Sequence, residues 1–195
     1  MNTMKAAVLD HAPGAMRIEE IPVPRPLEGE VLVKIRACGV CHTDLHVIKA
    51  EVAFPTPAVL GHEISGTVVE LGAGVSWPTG PDGHTAPAVG TRVVSAFIMP
   101  CGRCRLCAIG RDDLCDNFFA MNRLKGTLYD GTSRLRRADG TTIAMYSMAG
   151  LAEYAVVPAT DVFTLPDSLP LAESSVLGCA LFTAYGAVRH GAALR

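Results

Sequence analysis

Between Glu30 and Ala37 the chain alternates: Val31, Val33, Ile35 and Ala37 share one face, and Glu30, Leu32, Lys34 and Arg36 the other. A period of two is the mark of a strand with one face on a core. The β-rich runs Ile64 to Leu71, Thr91 to Phe97 and Ala152 to Val157 predict further strands, so the N-terminal half reads as β. PVPRPLEGE and the stretch from Trp77 to Val89, WPTGPDGHTAPAV, are dense in Pro and Gly and read as loops. Gly72-Ala73-Gly74 begins like a dinucleotide fingerprint, but Trp77 stands where the third glycine belongs and no helix opens there. It reads as a turn. Pro170 opens LPLAESSVLGCALFTAYGAV, which predicts a helix starting at that proline with Cys179 inside its apolar run. There is no internal repeat and no low-complexity tract.

The chain's 195 residues suffice for one packed domain, with room for a small appendage. Hydrophobic residues make up 49% and charged residues 18%, with a mean hydropathy of +0.30, so a core can be buried. The net charge of −2 gives no electrostatic case for nucleic acid or an anionic membrane surface as a partner. The opening MNTMKAAVLDHAPGAMRIEE has no continuous apolar run of the kind a signal peptide carries. No segment approaches the ~18 apolar residues of a membrane span. The expected compartment is the cytoplasm. Thiols stay reduced there, so seven cysteines point away from a disulfide framework and toward metal ligands, nucleophiles or small buried residues.

Four of the seven lie in PCGRCRLCAIGRDDLC. Cys101, Cys104, Cys107 and Cys115 read C-x2-C-x2-C-x7-C, which can enclose a tetrahedral zinc at ~2.3 Å from each sulfur. Pro100, Gly102 and Gly110 supply the turns such a lobe needs. Its other residues are largely polar and basic (Arg103, Arg105, Arg111), so a metal would do what packing cannot. An iron–sulfur cluster also uses four thiolates, but the bacterial ferredoxin run has a shorter last spacer and a following proline, where this chain has Asp116. Disulfides or free thiols are the remaining alternative.

The other thiols are Cys38, Cys41 and Cys179. Cys41 lies in ACGVCHTDLH, and His62 follows in LGHEISG after twenty intervening residues. Long separations suit an open catalytic site better than a local knuckle, and Cys179 could give a third ligand, leaving a position for water or substrate. Spacing alone leaves this open, since a lone cysteine or histidine is more often an ordinary core or surface residue.

GVCHTDLH, GHEISGTVVELGAGV, CGRCRLCAIGRDDLC, GLAEYAVVP and LGCALFTAYGAV occur in the order and approximate spacing of one family. From about Lys5 onward the chain resembles the zinc-dependent medium-chain alcohol dehydrogenases. The resemblance implies a mainly β fold with short helices, a GroES-like, partly open β-barrel with a four-cysteine zinc lobe. It implies a catalytic zinc on Cys41, His62 and Cys179 and a structural zinc on Cys101, Cys104, Cys107 and Cys115, two per chain. Glu63 matches the acidic residue beside the catalytic metal, as an alternating ligand or an electrostatic tuner. Asp44 matches the carboxylate that orients His62 through its other ring nitrogen. Thr43 and His46 match a proton relay, with Thr43 also at the cofactor. His42 falls near the cofactor pyrophosphate, Thr183 near the nicotinamide, and Phe97 on the substrate pocket wall. Leu181 and Phe182 replace smaller residues usual after the zinc cysteine.

These residue types suit the chemistry. Hydride leaves an alkoxide far more readily than an alcohol, and zinc stabilises the alkoxide as a Lewis acid. A hydroxyl that donates and accepts, then a group titrating near neutrality, can carry the proton out. The resemblance further implies a small alcohol or aldehyde substrate, NAD(P) as cofactor and a homo-oligomeric full-length form. It also implies a dinucleotide-binding domain beyond the last zinc cysteine. No such unit falls within the 195 residues. The expectation is therefore a GroES-like catalytic domain over 1–165, including the lobe at 100–116, and a helical segment over 166–195 leading toward the absent cofactor domain. Alone it is expected neither to bind NAD(H) tightly nor to turn over. The alternative from another class is a non-enzymatic zinc-binding module, which would have no need of Thr43, Asp44, His46 and Glu63.

Overall fold

A computed structural model describes residues 2–75 and 87–192. Among them are ten strands: β1 (Thr3–Leu9), β2 (Met16–Pro22), β3 (Glu30–Cys38), β4 (Ala58–Val59), β5 (Ile64–Leu71), β6 (Arg92–Val94), β7 (Leu135–Arg136), β8 (Thr142–Met145), β9 (Tyr154–Pro158) and β10 (Phe163–Thr164). Three short α-helices join them: α1 (His42–Ile48), α2 (Arg105–Ala108) and α3 (Ala180–Gly186). The strands form two five-stranded sheets, ordered β2-β1-β4-β8-β7 and β10-β6-β5-β3-β9. They are not closed into a continuous barrel, so the mainly β, partly open architecture expected from the sequence holds. No helix among the described residues is long and apolar enough to cross a membrane.

β3 is the spine of the second sheet, antiparallel to β5 on one side and β9 on the other. Its alternation is only partly realised: Glu30, Val31, Leu32 and Val33 are all buried. Both faces are covered there, and the polar member is neutralised rather than solvated. Arg134 grips the Glu30 carboxylate with two bonds of 2.6 and 2.8 Å, and Leu27 N–H donates to it at 2.9 Å. A buried carboxylate survives when paired and hydrogen-bonded in this way. The Gly72–Gly74 stretch is a turn, as read: Gly29 N–H donates to Ala73 O and Gly72 N–H to Glu30 O. A Cβ on Gly72 would lie 1.7 Å from Leu27 O, which explains the glycine without any phosphate.

β5 has the expected bounds, and β9 begins two residues later than predicted, Ala152 contributing only an isolated bridge to Ala6. The strand expected over Thr91 to Phe97 is shorter. β6 ends at Val94 because Ala96 N–H turns to Asp161 Oδ1 at 3.2 Å and Phe97 N–H to Gly178 O at 3.2 Å. The continuous helix from Pro170 is also corrected. A 3₁₀ segment (Glu173–Gly178) and α3 meet at Cys179, whose φ of −139° and ψ of −72° break the helical path. The loop predicted from Trp77 to Val89 falls mostly in 76–86, outside the described residues.

Candidate metal centres

α1 begins directly after Cys41, and Asp44, wholly buried in its first turn, organises the surroundings. Its Oδ2 accepts Cys41 N–H and its Oδ1 accepts Gly61 N–H, both at 3.1 Å, which fixes the two segments carrying Cys41 and His62. His62 is fully buried just before β5. Its Nδ1 lies 3.3 Å from Asp44 Oδ1, off the line of a hydrogen bond, and Nε2 has no protein partner. Glu63, also buried, accepts Ala180 N–H at 3.1 Å and so ties the segment to the start of α3. A Cβ on Gly39 would sit 2.0 Å from Glu63 Oε2, so only glycine admits this carboxylate so close to β3.

These elements bring Cys41, His62, Glu63 and Cys179 together, with one donor atom of each within 4.8 Å of all the others. Burial and the neighbouring Cys41 and Glu63 push the Cys179 thiol up to about 12. Burial also raises Cys41, but hydrogen bonds with Thr43, whose Oγ1 is 3.4 Å from the sulfur, and the adjacent His62 outweigh it, and the thiol lies below its ordinary value. Burial disfavours the charged form of His62, yet Asp44 and Cys41 carry its pKa above the usual imidazole value. Cys41, Glu63 and Cys179 gather at a buried imidazole neither of whose nitrogens has a hydrogen-bond partner. A divalent cation would bring these donors together and give one ring nitrogen a partner, whose lack costs ~1–3 kcal/mol. The donor set, two sulfurs, one imidazole and one carboxylate, suits zinc.

The four lobe cysteines form a second cluster with the same mutual limit of 4.8 Å. The chain's seven cysteines are free thiols, so disulfides are not how this lobe is held. The sulfurs accept backbone N–H groups: Cys104 to Cys101 at 3.3 Å, Cys107 to Cys104 at 3.5 Å, Cys101 to Cys115 at 3.3 Å and Phe118 to Cys115 at 3.4 Å. Asn117 adds a side-chain N–H to Cys101 at 3.2 Å. Such donors favour thiolates. The amide of Cys107 draws the Cys104 thiol down to about 6, whereas burial raises Cys115. Gly102 and Gly110, at φ of +69° and +75°, make the turns that return the chain to the sulfurs. Tyr129 and Thr160 donate to the carbonyls of Met99 and Pro100 and clasp the lobe's stem to the sheet.

The remaining predicted residues are spread around the first cluster. Phe97 lies against His62, ring centroids 4.6 Å apart. Thr183 is in α3, one turn beyond Cys179, and both border one cavity with Phe97. His42 is exposed, with its ring 4.6 Å from that of His46. His46 Nδ1 meets Glu51, a partner the sequence reading did not single out. Tyr146 was also missed: its ring stacks 5.9 Å from Phe97, and His62 and Phe54 meet it edge-on at 6.0 and 4.9 Å. No local pattern marks Tyr146. Its position depends on β8 running parallel to β4, which leads into His62.

The alcohol dehydrogenase GroES-like domain family matches residues 27–167. An NDMA-dependent alcohol dehydrogenase from Amycolatopsis methanolica is 36% identical over 191 residues, 98% of this chain and 48% of the relative. A solved alcohol dehydrogenase zinc-binding domain protein from Burkholderia ambifaria matches with a TM-score of 0.85 and 35% identity, over 100% of this chain and 50% of that one. Benzyl alcohol dehydrogenase from Acinetobacter calcoaceticus matches with a TM-score of 0.83 and 29% identity, over 97% and 48%. The chain thus spans about half the length of these relatives. A match over most of the chain, joined to this sheet order and these two thiol clusters, makes it a member of the alcohol dehydrogenase GroES-like domain family.

Proposed function

We propose that this chain is the catalytic domain of a zinc-dependent alcohol dehydrogenase, which passes hydride between a small alcohol or aldehyde and NAD(P). The observation that carries the reading is the convergence of Cys41, His62, Glu63 and Cys179, one donor atom of each within 4.8 Å of the others, at a buried imidazole with no hydrogen-bond partner. The relatives' names, one of them for benzyl alcohol, support the substrate class. Two zincs per chain are proposed, one in each cluster, with the lobe metal structural. Residues 1–165 would form the catalytic domain and 166–195 lead toward a cofactor domain, with the whole protein a homo-oligomer.

Zinc held by Cys41, His62 and Cys179 would supply a Lewis acid that acidifies a bound alcohol. The chain's own residues do the rest. Asp44 holds the Cys41 and His62 segments in register through the amides of Cys41 and Gly61. Glu63 stays fixed by Ala180 N–H and adds negative charge beside the donors. Thr43 Oγ1, beside the Cys41 sulfur, would accept the alcohol proton while its own hydroxyl proton passes on toward His46. His46, partly exposed and joined to Glu51, delivers it to solvent. His42 and Thr183 are proposed to face the cofactor pyrophosphate and nicotinamide, and Phe97 excludes water beside His62.

Cobalt substitution tests the open coordination position. The visible bands of the Cys41-dependent cobalt are expected to shift when benzyl alcohol is added and to be absent in Cys41→Ser. Bands present in Cys41→Ser and absent in Cys104→Ser belong to the lobe and should not respond. A Cys41-dependent cobalt spectrum indifferent to every small ligand would instead indicate a closed, non-enzymatic zinc module.

A further inference from the structure

α1 and the turn after it bring three further donors to one exposed face. His42 and His46 stand one helical turn apart, and their ring centroids are 4.6 Å from each other. Beyond Ile48 the chain doubles back. Ala50 takes a left-handed φ of 59°, and the N–H groups of Glu51 and Val52 both donate to His46 O, at 2.9 and 3.2 Å. That reversal sets the Glu51 carboxylate against His46 Nδ1. The hydrogen bond with His46 holds the Glu51 carboxyl below its usual value, and the charges of Lys49, His46 and His42 add to the effect.

The side chains of His46 and Glu51 are 42% and 48% exposed, and His42 is exposed as well, so an ion from solvent reaches all three. Two imidazoles and one carboxylate make a chelating set of borderline and hard donors. Such a set favours Zn²⁺, Ni²⁺ or Cu²⁺ over Mg²⁺ and Ca²⁺, which prefer oxygen alone. It holds no thiolate and lies open to water, so it differs in kind from both cysteine-containing clusters. Lys49 is a cation close to Glu51, and its repulsion keeps the affinity for an incoming ion below that of thiolate sites.

We propose that His42, His46 and Glu51 form a third, exchangeable binding site for a divalent transition-metal ion. The ion replaces the proton between His46 Nδ1 and Glu51, one nitrogen of His42 is the third ligand, and water completes the shell. Rotation of the exposed His42 and Glu51 side chains closes the set around the ion with no change in the backbone. Open to solvent, the site empties on dialysis. A seated ion also blocks the passage of a proton through His46; that consequence rests on the function proposed above, and the site itself does not.

The test reads binding to the chain after saturation with zinc and dialysis, which fills the thiolate clusters first. Isothermal titration with Ni²⁺ is expected to show one equivalent bound, without the sulfur-to-nickel charge-transfer absorption that thiolate ligation gives. In the ¹⁵N-labelled chain the paramagnetic ion should broaden the amide signals of His42, His46 and Glu51 and leave those of Cys104 and Cys107 sharp. His42→Gln, His46→Gln and Glu51→Gln each remove one ligand, and each should weaken binding about tenfold. The three side chains are exposed, so none of these substitutions leaves a hole in the core. Excess Mg²⁺ should not displace the Ni²⁺. No binding, binding only with charge-transfer absorption, or an affinity unchanged in any of the three variants would overturn the proposal. Failure of the chain to retain zinc would sink the two-zinc reading alone, since the same three variants still decide this site.

Discussion

Asp44 joins three parts of the chain with one carboxylate: the Cys41 amide, the Gly61 amide and the imidazole of His62. Asp44→Ala leaves two N–H groups without their acceptor and removes the charge beside the His62 ring, and a stability loss of about 2–3 kcal/mol is expected in urea unfolding of the metal-free chain. An unchanged midpoint would mean that those segments hold themselves. In the lobe, Cys104 is the thiol set apart, drawn to about 6 by the Cys107 amide. In metal-free protein at pH 7, iodoacetamide should label Cys104 faster than Cys38 or Cys179, both pushed up to about 12 mainly by burial. The Cys104 rate should fall as pH drops below about 6, where its thiolate is lost. Peptide mass spectrometry reads the order. At this scale the four-cysteine cluster was legible in the sequence from its C-x2-C spacing, while the grouping of Cys41, His62 and Cys179 was legible only through the family resemblance. The hold of Asp161 on the Ala96 amide was legible from neither, since the two lie 65 residues apart.

Among the elements, the junction between the Glu173–Gly178 3₁₀ segment and α3 matters most, because it delivers Cys179. Its shape is set by contact with residues 95–97 rather than by local propensity. Gly178→Ala would press a Cβ to within 1.9 Å of Ser95 O. The segment must then move, at an expected cost of about 1–3 kcal/mol, and Cys179 moves with it. The variant should keep lobe zinc and lose the second zinc, as read by metal analysis. Retention of both would show that the junction is not what places Cys179. The same contact explains why a helix running through Cys179 was a reasonable expectation and not the outcome. Apolar periodicity reports a buried face, not a break imposed by a neighbouring carbonyl. The alternation in β3 likewise predicted a strand, yet could not reveal that Arg134, 104 residues away, would let Glu30 be buried.

At the scale of the molecule, two sheets supply a continuous core and the lobe stands on it through the Tyr129 and Thr160 clasps. The lobe meets that core through Cys115 and Phe118, and the proposed zinc would hold the polar remainder of it. In Cys104→Ser with Cys107→Ser, amide exchange should accelerate across 101–117 while β3 and β5 keep their protection. Loss of protection throughout would make the lobe part of one cooperative unit with the sheets. The mainly β fold was legible as a whole because strand periodicity and the motif order agree. Which strands pair, with β4 alongside β8 and β3 between β5 and β9, came from contacts no local pattern encodes.

Metal content tests most directly whether the two clusters proposed as metal centres of different kinds each hold an ion. Elemental mass spectrometry on dialysed protein should find two zincs per chain, one lost in Cys41→Ser and the other in Cys104→Ser. A single zinc that survives Cys41→Ser, or iron in place of zinc, would contradict it.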